Sequence, residues 1–348
     1  MKKWIAFVLT LAMSAGLLTG CAGVPVVMEN QTGNVENTQL AEATQGAVKT
    51  GLSVITNLSG ESAGTEADGV ISTDISLVAV TVSDSGVIES CVIDAVQGKV
   101  SFDLNGQLTK ETGEILSKNE LGDNYGMRVA SPIGKEWNEQ AAHIAAYAVG
   151  KTVEELKTNA IDEAGKVKDA DLASGATIYM GSFIWAIEDA VNNAKHVGAG
   201  SGDTLVLTAI TSSEGSVSAT KEAEGSASVT SNIITMTTDG DVITGCIIDA
   251  VQSKAGFGAD GKIVGEIAGS VQSKAQLGEA YGLKAYSGVG KEWDEQTKAF
   301  CDYITGKTLE EVKGIALTET TAPAEADLAA SVSIAVGDFM GLVEKAGK

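Results

Sequence analysis

The chain has 348 residues, with 24 Lys and Arg against 46 Asp and Glu, a formal net charge of −22. Such an acidic surface repels nucleic acid and anionic lipid headgroups, so the charge favours cationic, neutral or small partners. The length suggests about two domains, each large enough for its own core.

The first residues read as a targeting segment. Lys2 and Lys3 precede an apolar stretch over 4–15 that is too short to span a bilayer. Leu18-Thr19-Gly20-Cys21 follows and resembles a lipobox, where a lipoprotein signal peptide is cut before a diacylglycerylated cysteine. The reading is a signal peptide over 1–20, then the lipidated Cys21 and a flexible spacer over 21–48 rich in Asn, Gln, Thr, Glu and Gly. Two or three acyl chains anchor stably where one does not. The expected location is the extracytoplasmic face of the cell membrane, held through the lipid anchor.

A long internal repeat organises the rest. Val92-Ile93-Asp94-Ala95-Val96-Gln97 returns as Ile247-Ile248-Asp249-Ala250-Val251-Gln252, and Gly134-Lys135-Glu136-Trp137 returns as Gly290-Lys291-Glu292-Trp293. The offset is 155 early and 156 later, so the second copy has gained one residue between these blocks. A period this long means duplicated domains, since solenoid repeats are much shorter. The expected domains are 49–196 and 203–348, with a Gly-rich hinge over 197–202.

Within each copy strands come first and helices later. Alternation over 75–82, a turn at Asp84-Ser85-Gly86 and a second run over 87–96 predict a hairpin; 233–238, Asp239-Gly240 and 242–251 predict its repeat. A helix is expected over 136–148, and capping boxes at Thr152-Val153-Glu154-Glu155 and Thr308-Leu309-Glu310-Glu311. A final helix is expected over 177–194, with Phe183, Ile184, Ile187 and Val191 on one face. The fold class is α+β: two duplicated domains, each an antiparallel sheet packed with helices.

The most informative segment is Asp171-Leu172-Ala173-Ser174-Gly175-Ala176-Thr177. It resembles the flavinylation motif of the FMN-binding domain family, in which the threonine closing D-x-x-[ST]-G-A-T carries FMN in phosphoester linkage. The resemblance implies an FMN-binding-domain-like fold and makes Thr177 the attachment point, placed there by an FAD:protein FMN transferase. Ser174, Gly175 and Ala176 are small enough to admit the transferase. Were the final helix to start here, Ser174 would cap it, and free N–H groups of its first turn would favour the phosphate. The motif echoes at Asp327-Leu328-Ala329-Ala330-Ser331-Val332-Ser333, where Ser333 stands for Thr177 and Asp327 for Asp171. Here glycine is lost and a β-branched valine gained, so Ser333 is a second, weaker candidate.

An isoalloxazine needs an apolar or aromatic wall, and only 5% of the chain is aromatic. Aromatics present in both copies include Tyr125 and Tyr281, Trp137 and Trp293, Tyr147 and Tyr303, Phe102 and Phe257, and Phe183 and Phe339. Trp137 and Trp293, after a Gly-Lys-Glu turn, are candidate stacking ledges, and Tyr125 and Tyr281 candidate walls; core filling is the alternative. Lys135 and Lys291 are candidates for neutralising phosphate, or plain surface lysines. Cys91, Cys246 and Cys301 read as small buried thiols; a Cys91–Cys246 bond is the other possibility.

Other chemistries find little support. His143 and His196 have no histidine counterpart in the second copy, which argues against a Ser-His-Asp centre or a His-rich metal site. Gly134-Lys135 lacks the upstream glycine of a P-loop, and there is no CxxCH haem site.

The chain thus looks like the flavinylated lipoproteins of Gram-positive extracellular electron transfer. That resemblance implies an electron carrier, fed by a membrane quinone-linked dehydrogenase and reducing soluble acceptors such as ferric iron. The rival readings are a non-redox surface lipoprotein that keeps the fold without flavin, and a reductase subunit with a defined small acceptor.

Overall fold

The computed structural model describes residues 47–267 and 269–348; the signal segment, Cys21 and nearly all of the spacer over 21–48 lie outside them. Each half opens with three long antiparallel strands: β1 (Lys49–Glu61), β2 (Gly69–Val82) and β3 (Ile88–Phe102) in the first. The short β4 (Glu114–Ile115) and helices α1 (Lys118–Leu121), α2 (Trp137–Ala148), α3 (Val153–Asn159), α4 (Ala170–Gly175) and α5 (Met180–Asn192) follow. The second half runs β5 (Thr204–Ser212), β6 (Gly225–Asp239), β7 (Val242–Phe257), β8 (Ile263–Val264), β9 (Ser270–Val271), α6 (Lys274–Leu277), α7 (Trp293–Ile304), α8 (Leu309–Lys313), α9 (Ala326–Ala329) and α10 (Gly337–Ala346). The architecture is mixed α+β, with two antiparallel sheets and helices.

The expected hairpins lie inside β2–β3 and β6–β7, which extend well beyond the alternating runs. Strands β1 and β5 were not singled out by alternation, yet each pairs along its whole length with β2 or β6. The loop after the third long strand then crosses to the other half. Glu114 and Ile115 of β4 pair with Ser212 and Thr211 of β5, while Ser270 and Val271 of β9 pair with Asn57 and Thr56 of β1. The sheets are therefore β3-β2-β1-β9 and β4-β5-β6-β7-β8, each completed by a segment of the other half.

Side-chain alternation explains the layering. In β2, Val78 and Val80 pack against α2 and α5, whereas Ile75, Leu77 and Ala79 pack against Leu207, Ala209, Ile233 and Val251 of the second half. Both faces of β2 are thus covered, which is why its last six residues are all buried. The layers are helices, sheet, sheet, helices. Each half has its own core under its helices, and the two halves share a third core between the sheets. Phe102 and Phe257 stack at 4.1 Å and 2° at one end of the shared layer, both fully buried. Burial of each such ring contributes about 1.5–3 kcal/mol. Gly69 and Gly225 make room for them: a Cβ at either would lie 2.4 Å from the neighbouring phenyl ring.

The expected hinge over 197–202 is tied down. Ala199 is buried and its carbonyl accepts from Val48 N, Gly200 N donates to Asp203 Oδ2, and Ser201 Oγ donates to Glu89. The three described cysteines are unbonded. Cys246 lies against Cys301, Sγ to Sγ 2.7 Å, not against Cys91. Burial pushes the Cys91 thiol up to about 12 and Cys246 well above its ordinary range.

Candidate functional site

The loop carrying Thr177 is held by one buried amide. Helix α2 begins at Trp137 after Glu136, whose carboxylate caps it in a capping box with Glu139. One turn in, Gln140 is fully buried on the helix's inner face. Its Oε1 accepts from Thr177 N at 2.7 Å, Thr177 Oγ1 at 3.2 Å and Ile178 N at 3.2 Å. Its Nε2 donates to Ser131 Oγ at 3.2 Å and the Lys135 carbonyl at 3.1 Å. Gln140 therefore staples the loop after α4 to the loop before α2. Glu136 anchors the latter from below, accepting from Met127 N at 2.9 Å and Arg128 N at 2.7 Å.

The second half repeats this arrangement. Gln296 Oε1 accepts from Ser333 N at 2.8 Å, Ser333 Oγ at 3.2 Å and Ile334 N at 3.2 Å; its Nε2 reaches Ser287 Oγ and the Lys291 carbonyl, both at 3.0 Å. Glu292 accepts from Leu283 N and Lys284 N. Burial opposes ionisation of Glu292, but the N–H groups of Lys284, Trp293, Leu283 and Gly282 together hold its carboxyl below the ordinary value. Thr177 and Ser333 are both exposed, so each half presents a fixed hydroxyl to solvent.

Sequence reasoning missed Gln140 and Gln296. The available signal was Trp137-Asn138-Glu139-Gln140 returning as Trp293-Asp294-Glu295-Gln296, a polar residue kept on the inward face of an amphipathic helix.

Several expectations for the loop need correction. The final helix starts at Met180, not at 177, and the motif residues 171–175 lie in the separate α4. Ser174 is not a cap: it sits in the last turn of α4 and its hydroxyl donates to the Asp171 carbonyl at 2.7 Å. Asp169 caps α4 by accepting from Leu172 N, and that N–H holds its carboxyl below the ordinary value. The N–H groups of Thr177 and Ile178 are taken by Gln140, so they are not free for a phosphate. The N–H groups that remain are those opening α5. This helix has no side-chain cap, and neither has α10 after Ser333, while α2 and α7 are both fully boxed. An uncapped helix start favours an anion.

Gly175 also has a different cause from the one expected. It has an ordinary helical φ, but a Cβ there would lie 2.1 Å from the His143 ring. His143 Nε2 meets the Asp171 carbonyl at 3.1 Å, so the imidazole lies over the end of α4. In the second half Ala299 replaces His143 and Ser331 replaces Gly175. The glycine and the histidine change together, because the small residue is needed only where the ring is present. Ala176 and its counterpart Val332 are both buried, so the valine does not protrude into the approach to Ser333. Asp171 and Asp327 are exposed in the first turns of α4 and α9.

The aromatic walls are largely closed. Trp137 and Trp293 are each 4% exposed and pack edge-on against Phe183 and Phe339 at 6.0 and 6.1 Å. They are core residues, not ledges. Tyr125 and Tyr281 are half-buried, with the Lys118 and Lys274 ammonium groups over their rings at 4.8 and 5.0 Å. The exposed aromatics are different ones: Tyr179 and Trp185 in the first half, Tyr286 in the second. Each occurs in one copy only, so comparing the copies passed over them.

No helix of the described residues is long and apolar enough to cross a membrane. No cluster of three or more His, Cys, Asp or Glu suited to a metal occurs among them. Comparison with protein-family models, curated proteins and solved structures found no match for this chain.

Proposed function

We propose that this chain is a membrane-anchored, extracytoplasmic flavoprotein electron carrier, built from a duplicated FMN-binding-type unit, with FMN esterified to Thr177. The observation that carries the reading is the Thr177 hydroxyl. It is exposed, closes a D-x-x-S-G-A-T segment, and is fixed by the buried Gln140 at the approach to an uncapped helix. In the attachment step Thr177 Oγ forms a bond to the FMN phosphorus of FAD, the pyrophosphate bond breaks, and AMP leaves. Gln140 accepts the hydroxyl's hydrogen bond and so aims a lone pair outward. An amide cannot take the proton, so the FAD:protein FMN transferase must supply the base. Once attached, FMN supplies reversible electron uptake, from a membrane quinone-linked dehydrogenase to small acceptors such as ferric iron. Ser333 is the second candidate site, held in the same way by Gln296. Cys21 would carry the lipid that keeps the protein at the membrane.

The test is co-expression with the transferase followed by intact mass. The wild type should carry one FMN adduct, with a second in a fraction of molecules. Thr177→Ala should lose the first and Ser333→Ala only the second. A wild-type chain without adduct, beside a control flavoprotein that loads, would leave the non-redox lipoprotein as the better reading. Cys21→Ser should release the protein from membranes or leave it unprocessed.

A further inference from the structure

We propose that the exposed pair Tyr179 and Trp185, the latter lining a cleft of the first half, seats the isoalloxazine ring of the FMN on Thr177. This rests on the flavinylation reading and adds to it a ring site that only the first half possesses. The cleft has a volume of 390 Å³ and is lined by Lys157, Ile161, Asp162, Glu163, Lys168 and Trp185. That volume lies within the range of about 300–1,000 Å³ typical of small-molecule sites. Tyr179 and Trp185 are 56% and 46% exposed, an unusual amount of open aromatic surface in a chain with so few aromatics. Their rings meet edge-on at 6.4 Å and 66°, so one plane is left open beside a perpendicular wall.

The pair is held in place. The Tyr179 hydroxyl donates to the Ala164 carbonyl at 3.2 Å, and the turn at Gly165 (φ +75°) lies against that hydroxyl and the edge of Trp185. A Cβ at Gly165 would lie 2.8 Å from Tyr179 Oη and 3.5 Å from Trp185. Tyr179 is two residues after Thr177, so their Cα atoms are at most about 7 Å apart. An FMN tethered through its phosphate therefore starts at the edge of this surface. Lys168, on the rim, makes no ion pair among the described residues, and with Lys157 it balances the Asp162 and Glu163 carboxylates of the same lining.

The second half keeps the hydroxyl and its glutamine but lacks the platform. Ala335, Gly341 and Ala324 stand where Tyr179, Trp185 and Lys168 do, and Thr321 stands for Gly165. Three contributors are missing together from a frame that is otherwise retained. Trp185 joins them: it pairs with Tyr179 and lines the cleft with Lys168.

The experiment uses the full chain carrying Ser333→Ala, loaded by the transferase, with and without Trp185→Ala and Tyr179→Ala. Adduct mass and flavin fluorescence are read on the same samples. Stacking on Trp or Tyr quenches flavin emission, and an aromatic contact contributes about 0.5–1.5 kcal/mol, so each variant should raise emission about two- to tenfold with the adduct retained. Both side chains are half-exposed, so folding should persist, as circular dichroism would check. Full adduct with unchanged emission in both variants overturns the ring site and leaves attachment standing; the aromatic pair would then serve another occupant. Absence of adduct on Thr177 before any aromatic change overturns attachment itself, and the ring site with it.

Discussion

The loops carrying Thr177 and Ser333 share a frame and differ in what the frame presents. Around Thr177 and around Ser333 the same glutamine, serine and lysine carbonyl make the same contacts, within about a tenth or two of an ångström for most pairs. Outside that lock the halves diverge: His143 over Gly175 becomes Ala299 beside Ser331, and Tyr179 with Trp185 becomes Ala335 with Gly341. The difference teaches that the motif contains two kinds of position. Some hold the backbone and are constrained by buried hydrogen bonds. Others answer to a neighbouring side chain and change when that neighbour does.

The largest effect should come from breaking the shared frame. Gln140→Ala would leave the N–H groups of Thr177 and Ile178 without their acceptor and open a cavity. A buried donor left unpaired costs about 1–3 kcal/mol, so the loss should be about 3 kcal/mol, with increased protease cutting in the loop over 176–179. Gln296→Ala should cost a similar amount. Urea unfolding of the two variants measures this, and a clearly smaller loss at Gln296 would break the equivalence of the halves. Gln140→Glu keeps the acceptor but loses the donors to Ser131 and Lys135, and should fall between.

Next comes the coupled pair. Gly175→Ala places a methyl group 2.1 Å from His143 and should destabilise by about 1–3 kcal/mol. In a His143→Ala background the same change should cost little. This cycle separates a steric requirement from a backbone one: if the loss persists without the imidazole, the account of Gly175 given above is wrong. Ser331→Gly in the second half should be close to neutral, since Ala299 leaves the space open.

These residues also show what was legible in the sequence. The two hairpins and the capping boxes at Thr152 and Thr308 rest on local patterns, and local patterns survive folding. The shared core did not show: alternation over 75–82 marks a strand but does not say what each face meets, and the last six residues of β2 are all buried, one face under helices and the other against the second half. The start of the last helix was misplaced because Ser174 resembles a cap. The true cap of the preceding turn is Asp169, and Ala176 is extended (φ −149°), which parts α4 from α5. Thr177 stood out from its neighbours in sequence. Gln140 did not, since reading for apolar period passes over a buried amide.

A smaller effect should come from the turn under the aromatic pair. Gly165 has φ +75°, and Thr321 takes its place with φ +59°. A β-branched residue in the left-handed region carries about 1–2 kcal/mol of strain. Thr321→Gly should therefore stabilise the second half by about 1 kcal/mol, less the entropy that glycine adds to the unfolded chain. Gly165→Thr should destabilise the first half by more than that strain, because its Cβ also meets Tyr179 Oη. Thermal melts of both variants decide this. A destabilised Thr321→Gly would mean that contacts of the threonine with Gly337 outweigh its strain.

The smallest expected effect is a pH dependence that both halves should contribute equally. Asp94 and Asp249 are buried within β3 and β7, and burial raises both carboxyl pKa values although a serine and backbone N–H groups oppose the shift. In the unfolded chain an aspartate titrates near about 3.9. A folded value above the unfolded one means that the folded state binds protons more readily, so stability is fully present below the unfolded value and is lost as pH rises through the folded value. Glu155 and Glu311 act in the opposite sense. The N–H groups of Thr152 and Thr308 lower their pKa values, so their contribution is present above the ordinary glutamate range and is lost as pH falls through the depressed values. Both glutamates are solvent-exposed, which makes that contribution small. Lowering the pH through the raised Asp94 and Asp249 values should therefore raise stability before the capping boxes weaken. Asp94→Asn and Asp249→Asn keep an oxygen for Ala95 N and Asn119 N, or for Ala250 N and Ala275 N, and remove the ionisation. Each should flatten half of the pH slope in urea melts, and together they should remove most of it. A slope carried by one aspartate alone would show that the halves differ beneath the Thr177 and Ser333 loops as well as at them.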